Sequence, residues 1–155
     1  MRREPTLLFG HSELVAQWVL ERIPDVQTFG KCEAIGVGNA DTGRLYAGVV
    51  YHDYQAAFET INMSIASISP MFATRGTIRA LLHYPFEQMG CNLVAAVARS
   101  TNEKSIRFLM GTGKRPGVGF KRDGILRHRF GQGVHAVTFS MTRNEFRKIY
   151  GVDNG

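Results

Sequence analysis

The chain has 155 residues, of which 44% are hydrophobic and 21% are charged, and this composition fits one domain with an apolar core. No apolar run approaches the roughly 20 residues of a membrane span, and the first residues lack the apolar core of a signal peptide. We therefore expect a single cytoplasmic domain over residues 1–155. Cys32 and Cys91 stand in no CxxC motif or Cys/His cluster, so we expect reduced thiols and no metal site.

Charge is distributed unevenly along the sequence. Residues 1–60 contain five Lys or Arg and eight Asp or Glu, a net charge of −3. Residues 61–155 contain fourteen Lys or Arg and five Asp or Glu, a net charge of +9, which brings the whole chain to +6. A basic half favours a polyanionic partner, and either a nucleic acid or a phosphorylated cofactor meets that description.

The first part of the chain predicts a sheet with one covering helix. Ser12 is predicted to be the N-cap of a helix whose apolar residues recur at helical spacing until Pro24. The turn-forming residues 39–43 predict a hairpin. The strands predicted here are residues 6–9, 33–38 and 44–53.

Residues 57–68 predict a further strand that completes an antiparallel meander. The period of two places Glu59 and Ser67 on one face. From that position the Glu59 carboxylate would face the surface that leads to the next turn. An exposed strand charge without a function is the alternative interpretation of Glu59.

The stretch from Thr74 to Leu82 predicts a turn that runs directly into an amphipathic helix. A helix start has backbone N–H groups without intrahelical partners and the positive end of the macrodipole, so it attracts an anion. Arg75 and Arg79 add charge beside that site. An ordinary loop with solvated arginines remains the alternative, because one Gly and two Arg are a weak signal.

Pro85 is predicted to kink or shorten this helix, because proline removes a donor and crowds the carbonyl four residues earlier. Residues 93–98 form a continuous apolar run, which predicts a strand covered on both faces. The succession of strand, turn, helix and strand predicts a βαβ unit.

The last third of the chain predicts two helices and a hairpin. Asn102 is predicted to cap a helix. The buried side of that helix is predicted to be Ile106, Leu109 and Met110. Residues 142–145 have the capping-box pattern of a final helix that ends near Tyr150. The hairpin strands are residues 124–130 and 134–141, joined by a tight turn at residues 131–133.

Several motifs between Ala73 and Phe146 follow one another in a familiar order. A Gly-containing turn opens a helix, an apolar strand follows, and Asn102-xx-Ser105 opens the next helix. The segments FKRDGILR at residues 120–127 and FSMTRNEF at residues 139–146 complete the series. In this order the sequence resembles the GCN5-related N-acetyltransferase (GNAT) superfamily, and most of all its ribosomal-protein alanine acetyltransferase branch.

The resemblance implies an α/β (α+β) acyl-CoA N-acyltransferase fold, in which a mixed, mostly antiparallel sheet splays around a central βαβ unit and is flanked by helices. It implies acetyl-CoA as cosubstrate, wedged between the strand that ends near Ser67 and the strand at residues 93–98. Backbone groups near Ser67 would hold the pantetheine arm and polarise the thioester carbonyl. The cofactor-binding residues implied are Ala66, Ser67, Ile68, Arg75, Gly76, Thr77, Ile78, Arg79, Asn102, Ser105 and Phe108.

Acetyl transfer to an amine needs an oxyanion donor, a route for the ammonium proton and a proton for the departing thiolate. We assign the oxyanion donor to the backbone near Ser67, the proton route to Glu59, and the proton for the thiolate to Ser105 or water. The predicted catalytic residues are therefore Glu59, Ser67 and Ser105. Nothing in the sequence resembles an activated nucleophile, so direct transfer in a ternary complex is predicted. Two positions depart from the family pattern. Ile78 replaces a small residue, and Phe108 stands where many relatives have a proton-donating Tyr.

A basic nucleic-acid-binding module is the competing hypothesis. Residues 99–129 contain nine Lys or Arg and two Asp or Glu, a net charge of +7. No aromatic interleaving accompanies this charge, so nucleic acid is not the favoured partner. A GNAT-fold protein without catalysis is a third hypothesis. The sequence does not distinguish a protein N-terminus, a lysine, a polyamine and a small antibiotic as the acceptor of the acetyl group. It also leaves open whether the protein is a monomer or a homodimer.

Overall fold

In the part of the chain that the structure describes, a seven-stranded sheet forms the centre of the fold. The structure is a computed structural model that describes residues 5–151; residues 1–4, on which the expectation about a signal peptide partly rests, and residues 152–155 lie outside that range. The strands are β1 (Thr6–Leu8), β2 (Cys32–Asn39), β3 (Arg44–Gln55), β4 (Thr60–Ser67), β5 (Leu93–Arg99), β6 (Lys121–Leu126) and β7 (Ala136–Thr142). Their order is β1-β2-β3-β4-β5-β7-β6. All neighbours are antiparallel except β4 and β5, which confirms the predicted mixed sheet.

Residues 5–151 contain four α-helices, of which the first three connect strands and the fourth follows β7. They are α1 (Ser12–Leu20), α2 (Arg75–His83), α3 (Glu103–Met110) and α4 (Arg143–Tyr150). A 3₁₀ turn (Pro70–Phe72) precedes α2, and a π-helical turn (Tyr84–Gln88) follows it. Pro85 lies in the π turn, which confirms the interruption predicted there. None of the described helices has the length and apolar character needed to cross a membrane.

The start of α1 differs from its prediction. Ser12 is the first helical residue and His11 occupies the N-cap position, so the N-cap prediction is wrong. The Ser12 hydroxyl donates to the Glu33 carboxylate at 2.7 Å and accepts the Ala34 N–H at 3.0 Å. Because β2 lies beside the helix start, a tertiary contact takes the hydroxyl that a local cap would have used.

The starts of α3 and α4 confirm their sequence signals. Asn102 Oδ1 accepts the Ser105 N–H at 3.2 Å. Thr142 and Glu145 form the reciprocal capping box of α4. Met110, which was predicted to be buried, is 39% exposed. It is the last residue of α3 and lies past the turn whose Leu109 faces the core, so the prediction for Met110 is wrong.

The helices cover the two faces of the sheet unequally. On one face, α2 and α4 pack on the main core, where Leu82 and Phe146 are almost fully buried. On the opposite face, α1 packs on β2 and β3 through Val15 and Val19. Val97 of β5 points to this second face and is 51% exposed. The prediction that residues 93–98 are covered on both faces is therefore wrong for the α1 face.

Gly48 lets α1 approach the sheet closely. A Cβ atom at Gly48 would lie 2.6 Å from Cγ2 of Val19 and 3.1 Å from Cγ1 of Val15. Both valines are fully buried and β-branched, so neither side chain has room to move aside. The absence of a side chain at this position thus sets the spacing between helix and sheet.

The parallel pair β4–β5 is short, and this creates a cleft. The two strands pair at three positions, Thr60↔Leu93, Ile61↔Val94 and Asn62↔Ala95. Beyond them β4 continues to Ser67 alongside β3, and β5 continues to Arg99 alongside β7. The carboxyl-terminal halves of the two strands therefore diverge.

The beginning of β4 corrects the predicted position of Glu59. The strand starts at Thr60, and residues 56–59 form the turn between β3 and β4. Glu59 has φ 55°, in the left-handed region, and its carbonyl accepts the Asn92 N–H at 2.7 Å. Its placement on one strand face with Ser67 is wrong, because the chain reverses at this residue. The length of β4 separates the two residues by roughly 23 Å at the usual rise per residue.

The connection between β6 and β7 is longer than the predicted glycine turn. β6 ends at Leu126 and β7 begins at Ala136. Nδ1 of His135 accepts the His128 N–H at 2.9 Å, and Nδ1 of His128 accepts the Gly133 N–H at 2.8 Å. The turn at residues 131–133 is closed by backbone bonds from the Phe130 N–H to the Val134 carbonyl at 3.1 Å and from the Val134 N–H to the Gly131 carbonyl at 3.0 Å. The two imidazole acceptors add bonds between this turn and the strand ends, which glycine spacing alone does not predict.

The substitution Gly48→Ala should lower the free energy of unfolding by about 1–3 kcal/mol, because the added methyl overpacks the contact with α1. Urea denaturation followed by circular dichroism measures the change. Gly124→Ala is the matched control, since a Cβ atom there meets nothing within 4 Å. Equal stability of the two variants would contradict the close packing of α1.

Candidate functional site

The divergence of β4 from β5 leaves β4 backbone groups directed into the cleft. The Ile68 N–H donates to the Tyr46 carbonyl at 2.8 Å, on the β3 side. Antiparallel pairs alternate between hydrogen-bonded and non-hydrogen-bonded positions, so the N–H groups of Ser67 and Ile65 face away from β3. In a continuous sheet these N–H groups would bond to β5, but β5 has diverged from β4 at this point and does not reach them. The cleft therefore presents a strand edge to a ligand.

The three predicted backbone contacts are not equivalent in the structure. Ser67 is exposed and its backbone faces the cleft. Ala66 is 7% exposed and packs in the core beneath α1. The Ile68 N–H is already bonded to β3. Sequence reasoning missed Ile65, although the two-residue period counted back from Ser67 would have found it.

A helix N-terminus lies just beyond the end of β4. Thr74 is the N-cap of α2, and its Oγ1 accepts the Thr77 N–H at 3.2 Å. Arg75 and Gly76 are the first helical residues, so their N–H groups precede the intrahelical ladder. Ile78 is 6% exposed and packs in the main core. The bulky side chain at position 78 therefore does not cover the exposed end of the helix.

Both arginines of the turn contact the end of α4. Arg75 donates from Nη2 to the Ile149 carbonyl, and its guanidinium lies 4.9 Å from the ring centroid of Tyr150. Arg79 donates from Nε to the Tyr150 carbonyl at 3.2 Å. These carbonyls form the negative end of the α4 dipole, so the arginines stabilise the helix end. A guanidinium has five N–H donors, and each arginine retains donors for an anion beside α2.

Tyr150 also fixes the loop between α3 and β6. Its hydroxyl donates to the Val118 carbonyl at 2.5 Å, and both side chains are buried. Burial raises the pKa of Tyr150 to about 12, so the hydroxyl remains a donor far above neutral pH. Lys114 and Arg115 lie on the exposed part of the same loop.

Helix α3 packs on the same side of the sheet as α2, through its C-terminal half. Phe108 is half-buried, and its ring centroid is 5.7 Å from that of Phe72 in the 3₁₀ turn. Ser105 is also half-buried, and Asn102 holds its N–H. The contact between Phe72 and Phe108 joins α3 to the segment that leads from β4 to α2. Of the predicted α3 residues, Phe108 thus contacts the segment that precedes α2, whereas Glu59 lies at the far end of β4.

The opposite face of the cleft is open and bordered by an ion pair. Arg99, at the end of β5, donates from Nε to both carboxylate oxygens of Asp25, at 2.8 and 2.9 Å. The hydrogen bond to Asp25 raises the pKa of Arg99. This pair ties the connection between α1 and β2 to β5, close to the exposed Val97. The two partners are 74 residues apart in the sequence, so no local sequence pattern predicts the contact.

Ion pairs neutralise part of the basic segment at residues 99–129. Lys121 lies 2.6 Å from Glu145, and Arg107 lies 4.0 Å from Glu103. The hydrogen bond from Lys121 lowers the pKa of Glu145. Within residues 5–151, no group of three or more His, Cys, Asp or Glu side chains is arranged to hold a metal ion.

Arg79→Ala should lower the free energy of unfolding by about 0.5–1 kcal/mol, because the last turn of α4 loses a charged donor. Urea denaturation at low ionic strength measures the effect. Arg107→Ala is the control, since it removes a helical arginine whose carboxylate contact is long and exposed. A variant of Arg79 as stable as the wild type would show that this arginine does not stabilise α4.

Comparison with known proteins identifies the fold. No family model matches the sequence, and no curated protein matches it significantly. The strand order and the diverging parallel pair define the acyl-CoA N-acyltransferase fold of the GNAT superfamily, as the resemblance implied.

Several solved structures of one enzyme share this architecture. Spermidine/spermine N-acetyltransferase SpeG from Vibrio cholerae, in complex with manganese ions, has a TM-score of 0.69 and 13% identity over 97% of this chain and 98% of that chain. A point variant of the same enzyme has a TM-score of 0.71 and 13% identity over 92% and 96% of the two chains. A chimera of SpeG with hSSAT has a TM-score of 0.72 and 13% identity over 94% and 99%. At this identity the similarity establishes the fold, and membership of the superfamily and of its branch stays a prediction.

Proposed function

We propose that the protein is an N-acetyltransferase that transfers an acetyl group from acetyl-CoA to a primary amine by direct attack in a ternary complex. The observation that carries the proposal is the divergence of β4 and β5 immediately beside the N-terminus of α2. Parallel strands place their carboxyl ends at one edge of the sheet, and ligands bind in the crevice outside those ends. A cleft between two such strands, next to an anion-attracting helix start, suits a long ligand with phosphates at one end.

The cleft has the donors that coenzyme A requires. Backbone groups of Ile65 and Ser67 would pair with the amides of its arm. The first turn of α2, with Arg75 and Arg79 beside it, would hold the pyrophosphate through charge-assisted hydrogen bonds. The remaining contacts that we propose are Gly76 and Thr77 on α2, and Asn102, Ser105 and Phe108 on α3.

The acceptor amine would enter from the open face between the α1–β2 connection and β5. A cationic acceptor is favoured, because the first 60 residues carry a net charge of −3. A polyamine is the first acceptor that we propose, since the solved structures of similar fold are spermidine N-acetyltransferases. A protein N-terminus, a lysine and a small antibiotic remain alternatives.

The proton roles need one revision. Ser105 and water remain our proposal for protonating the departing thiolate, because Phe108 has no donor. The proposal for Glu59 loses its basis, since Glu59 lies at the closed end of β4, where β4 and β5 are paired. Another group near the divergence of the strands must therefore receive the ammonium proton.

Acetyl-CoA should bind saturably in isothermal titration calorimetry, and Arg75→Ala should weaken the binding about 10-fold through loss of a charge-assisted hydrogen bond. Arg122→Ala is the matched control, because it removes the same charge from an exposed position on β6. Thermal melts must show that Arg75→Ala is folded at the titration temperature, since Arg75 also contacts α4. No saturable binding at millimolar acetyl-CoA would refute the enzyme proposal.

The same preparation tests the nucleic-acid alternative. A labelled nucleic acid that binds with steep salt dependence, while acetyl-CoA does not bind, would favour a basic binding module. The net charge of +7 at residues 99–129 is the observation behind this alternative. Ion pairs at Arg99, Arg107 and Lys121 reduce the charge available to such a partner.

Turnover is a separate prediction. With acetyl-CoA and spermidine, the wild type should release thiol and form an acetylated amine, detected by a thiol reagent and by mass spectrometry. Peptides with a free N-terminus and a blocked peptide with one lysine serve as competing acceptors. Faster transfer to a peptide than to spermidine would refute the polyamine proposal and keep the reaction class. Binding of acetyl-CoA without transfer to any acceptor would favour the inactive-fold hypothesis.

A further inference from the structure

A continuous chain of hydrogen bonds crosses β3 and β4 beside the point where β4 leaves β5. Nε2 of His52 lies 2.9 Å from Oγ of Ser64, and Nδ1 of His52 lies 2.9 Å from Oδ2 of Asp53. The side-chain amide of Asn62 donates to the same Asp53 oxygen at 3.2 Å. The serine, imidazole and carboxylate thus form a linear array.

The array lies where the acceptor amine would meet the cleft. Asn62 is the last β4 residue that pairs with β5, and Ser64 is two residues further on, past the divergence. Ser64 is opposite Val50 in the β3–β4 register, and Val50 belongs to the core beneath α1. The Ser64 side chain therefore projects on the same face as exposed Val97 of β5.

The surroundings of the ring favour a directed proton path. The His52 side chain is 14% exposed and packs against Phe29 with a ring-centroid distance of 5.0 Å. The Asp53 side chain is 62% exposed. A proton accepted at the inner end of the array can therefore leave to solvent from its outer end.

The array also fixes the tautomer of the imidazole. A carboxylate only accepts hydrogen bonds, so Nδ1 of His52 must carry a proton that it donates to Asp53. In the neutral imidazole of this tautomer, Nε2 has a free lone pair and accepts the hydrogen bond that the Ser64 hydroxyl donates. Asp53 has φ 55°, an uncommon conformation for a residue other than glycine, and the Asn62 amide helps to hold its carboxylate.

Other titratable groups near the ring are few among the described residues. Cys32 is opposite His52 in the β2–β3 register, and burial, followed by the Glu33 charge, raises the pKa of its thiol. The α1–β2 connection contributes the neutral Phe29, and β4 contributes the neutral Ser64 and Asn62. Asp53 is therefore the charged group in direct contact with the ring.

We propose that Ser64 and His52 receive the proton that the acceptor ammonium must lose, with Asp53 and Asn62 as positioning residues. This inference rests on the proposed N-acetyltransferase function. In the overall reaction an ammonium and the acetyl thioester give an amide, a thiol and one proton, as an N–C bond forms and the C–S bond breaks. Of the two protons that nitrogen loses, one is balanced by the proton that Ser105 or water gives to the departing sulfur. The other passes to Ser64 Oγ while the hydroxyl proton of Ser64 moves to Nε2 of His52.

The tautomer of His52 tests the array without turnover. In histidine-labelled protein, long-range ¹H–¹⁵N correlation at neutral pH should show His52 protonated at Nδ1 and unprotonated at Nε2. Asp53→Asn should reduce that preference, because an amide oxygen is a weaker acceptor than a carboxylate. His52 protonated at Nε2 in the wild type would overturn the proposal, since that nitrogen could not accept a proton from Ser64.

Kinetics test the role in the reaction. His52→Gln should lower kcat about 100-fold, as loss of a general base does, with KM for both substrates changed less than about threefold. The pH dependence of kcat/KM should differ from that of the wild type, and added imidazole should restore part of the rate to His52→Ala. Ser64→Ala should lower kcat in the same way. His11→Gln is the matched control, because His11 is exposed and its side chain makes no cap hydrogen bond.

The outcomes separate this inference from the function on which it rests. Wild-type turnover that persists in His52→Gln, or a lost rate that imidazole fails to restore, would overturn the relay and leave the N-acetyltransferase proposal standing. Wild-type protein that transfers acetyl groups to no amine would overturn both. A Ser64→Ala variant with the wild-type pH profile and kcat would remove the serine from the path and overturn the relay as proposed.

Discussion

The early end of the β4–β5 pairing is the constraint on which the rest of the molecule depends. Three paired positions hold the two strands parallel, and beyond Asn62 the backbone edge of β4 has no strand opposite it. Buried backbone groups need partners, so this edge must be satisfied by solvent or by a ligand that imitates a strand. Because the strands are parallel, their carboxyl ends lie at one edge of the sheet, and the helices that follow them start there. The topology thus assembles an extended cleft with helix N-termini at its mouth.

The anion-attracting turn is also a structural joint. Arg75 and Arg79 bridge the start of α2 and the end of α4, two helix termini of opposite polarity. Tyr150 continues the connection to Val118 in the loop before β6. A ligand phosphate at α2 would therefore share its arginines with the last turn of the chain, and the C-terminal helix belongs to the site as much as the turn does.

The two faces of the sheet divide the chemistry. The face under α2 and α4 is closed by the main core and carries the proposed cofactor side. The face under α1 is closed only over β2 and β3, and Val97 marks where it is open. The Asp25–Arg99 pair holds the α1–β2 connection at the border of this opening. Ser64 of β4 lies at the edge of this opening, and His52 of β3 lies behind it beneath Phe29. In the proposed reaction, the opening would give a second substrate a route that does not compete with the first.

Local patterns in the sequence determined a large part of this protein. The capping signals of α3 and α4, the break at Pro85 and the antiparallel meander that ends with β4 were predicted, because each depends on contacts within a few residues or on a regular period. The turn with Arg75 was found for the same reason. Tertiary structure decided the rest. Glu59 lies in a turn and not in the strand, because the chain reverses there. Ser12 does not cap α1, because its hydroxyl bonds to Glu33 and Ala34 on β2. The contact between His52 and Ser64 depends on strand register, and the pair Asp25–Arg99 depends on long-range packing. Neither can be predicted from local patterns in the sequence.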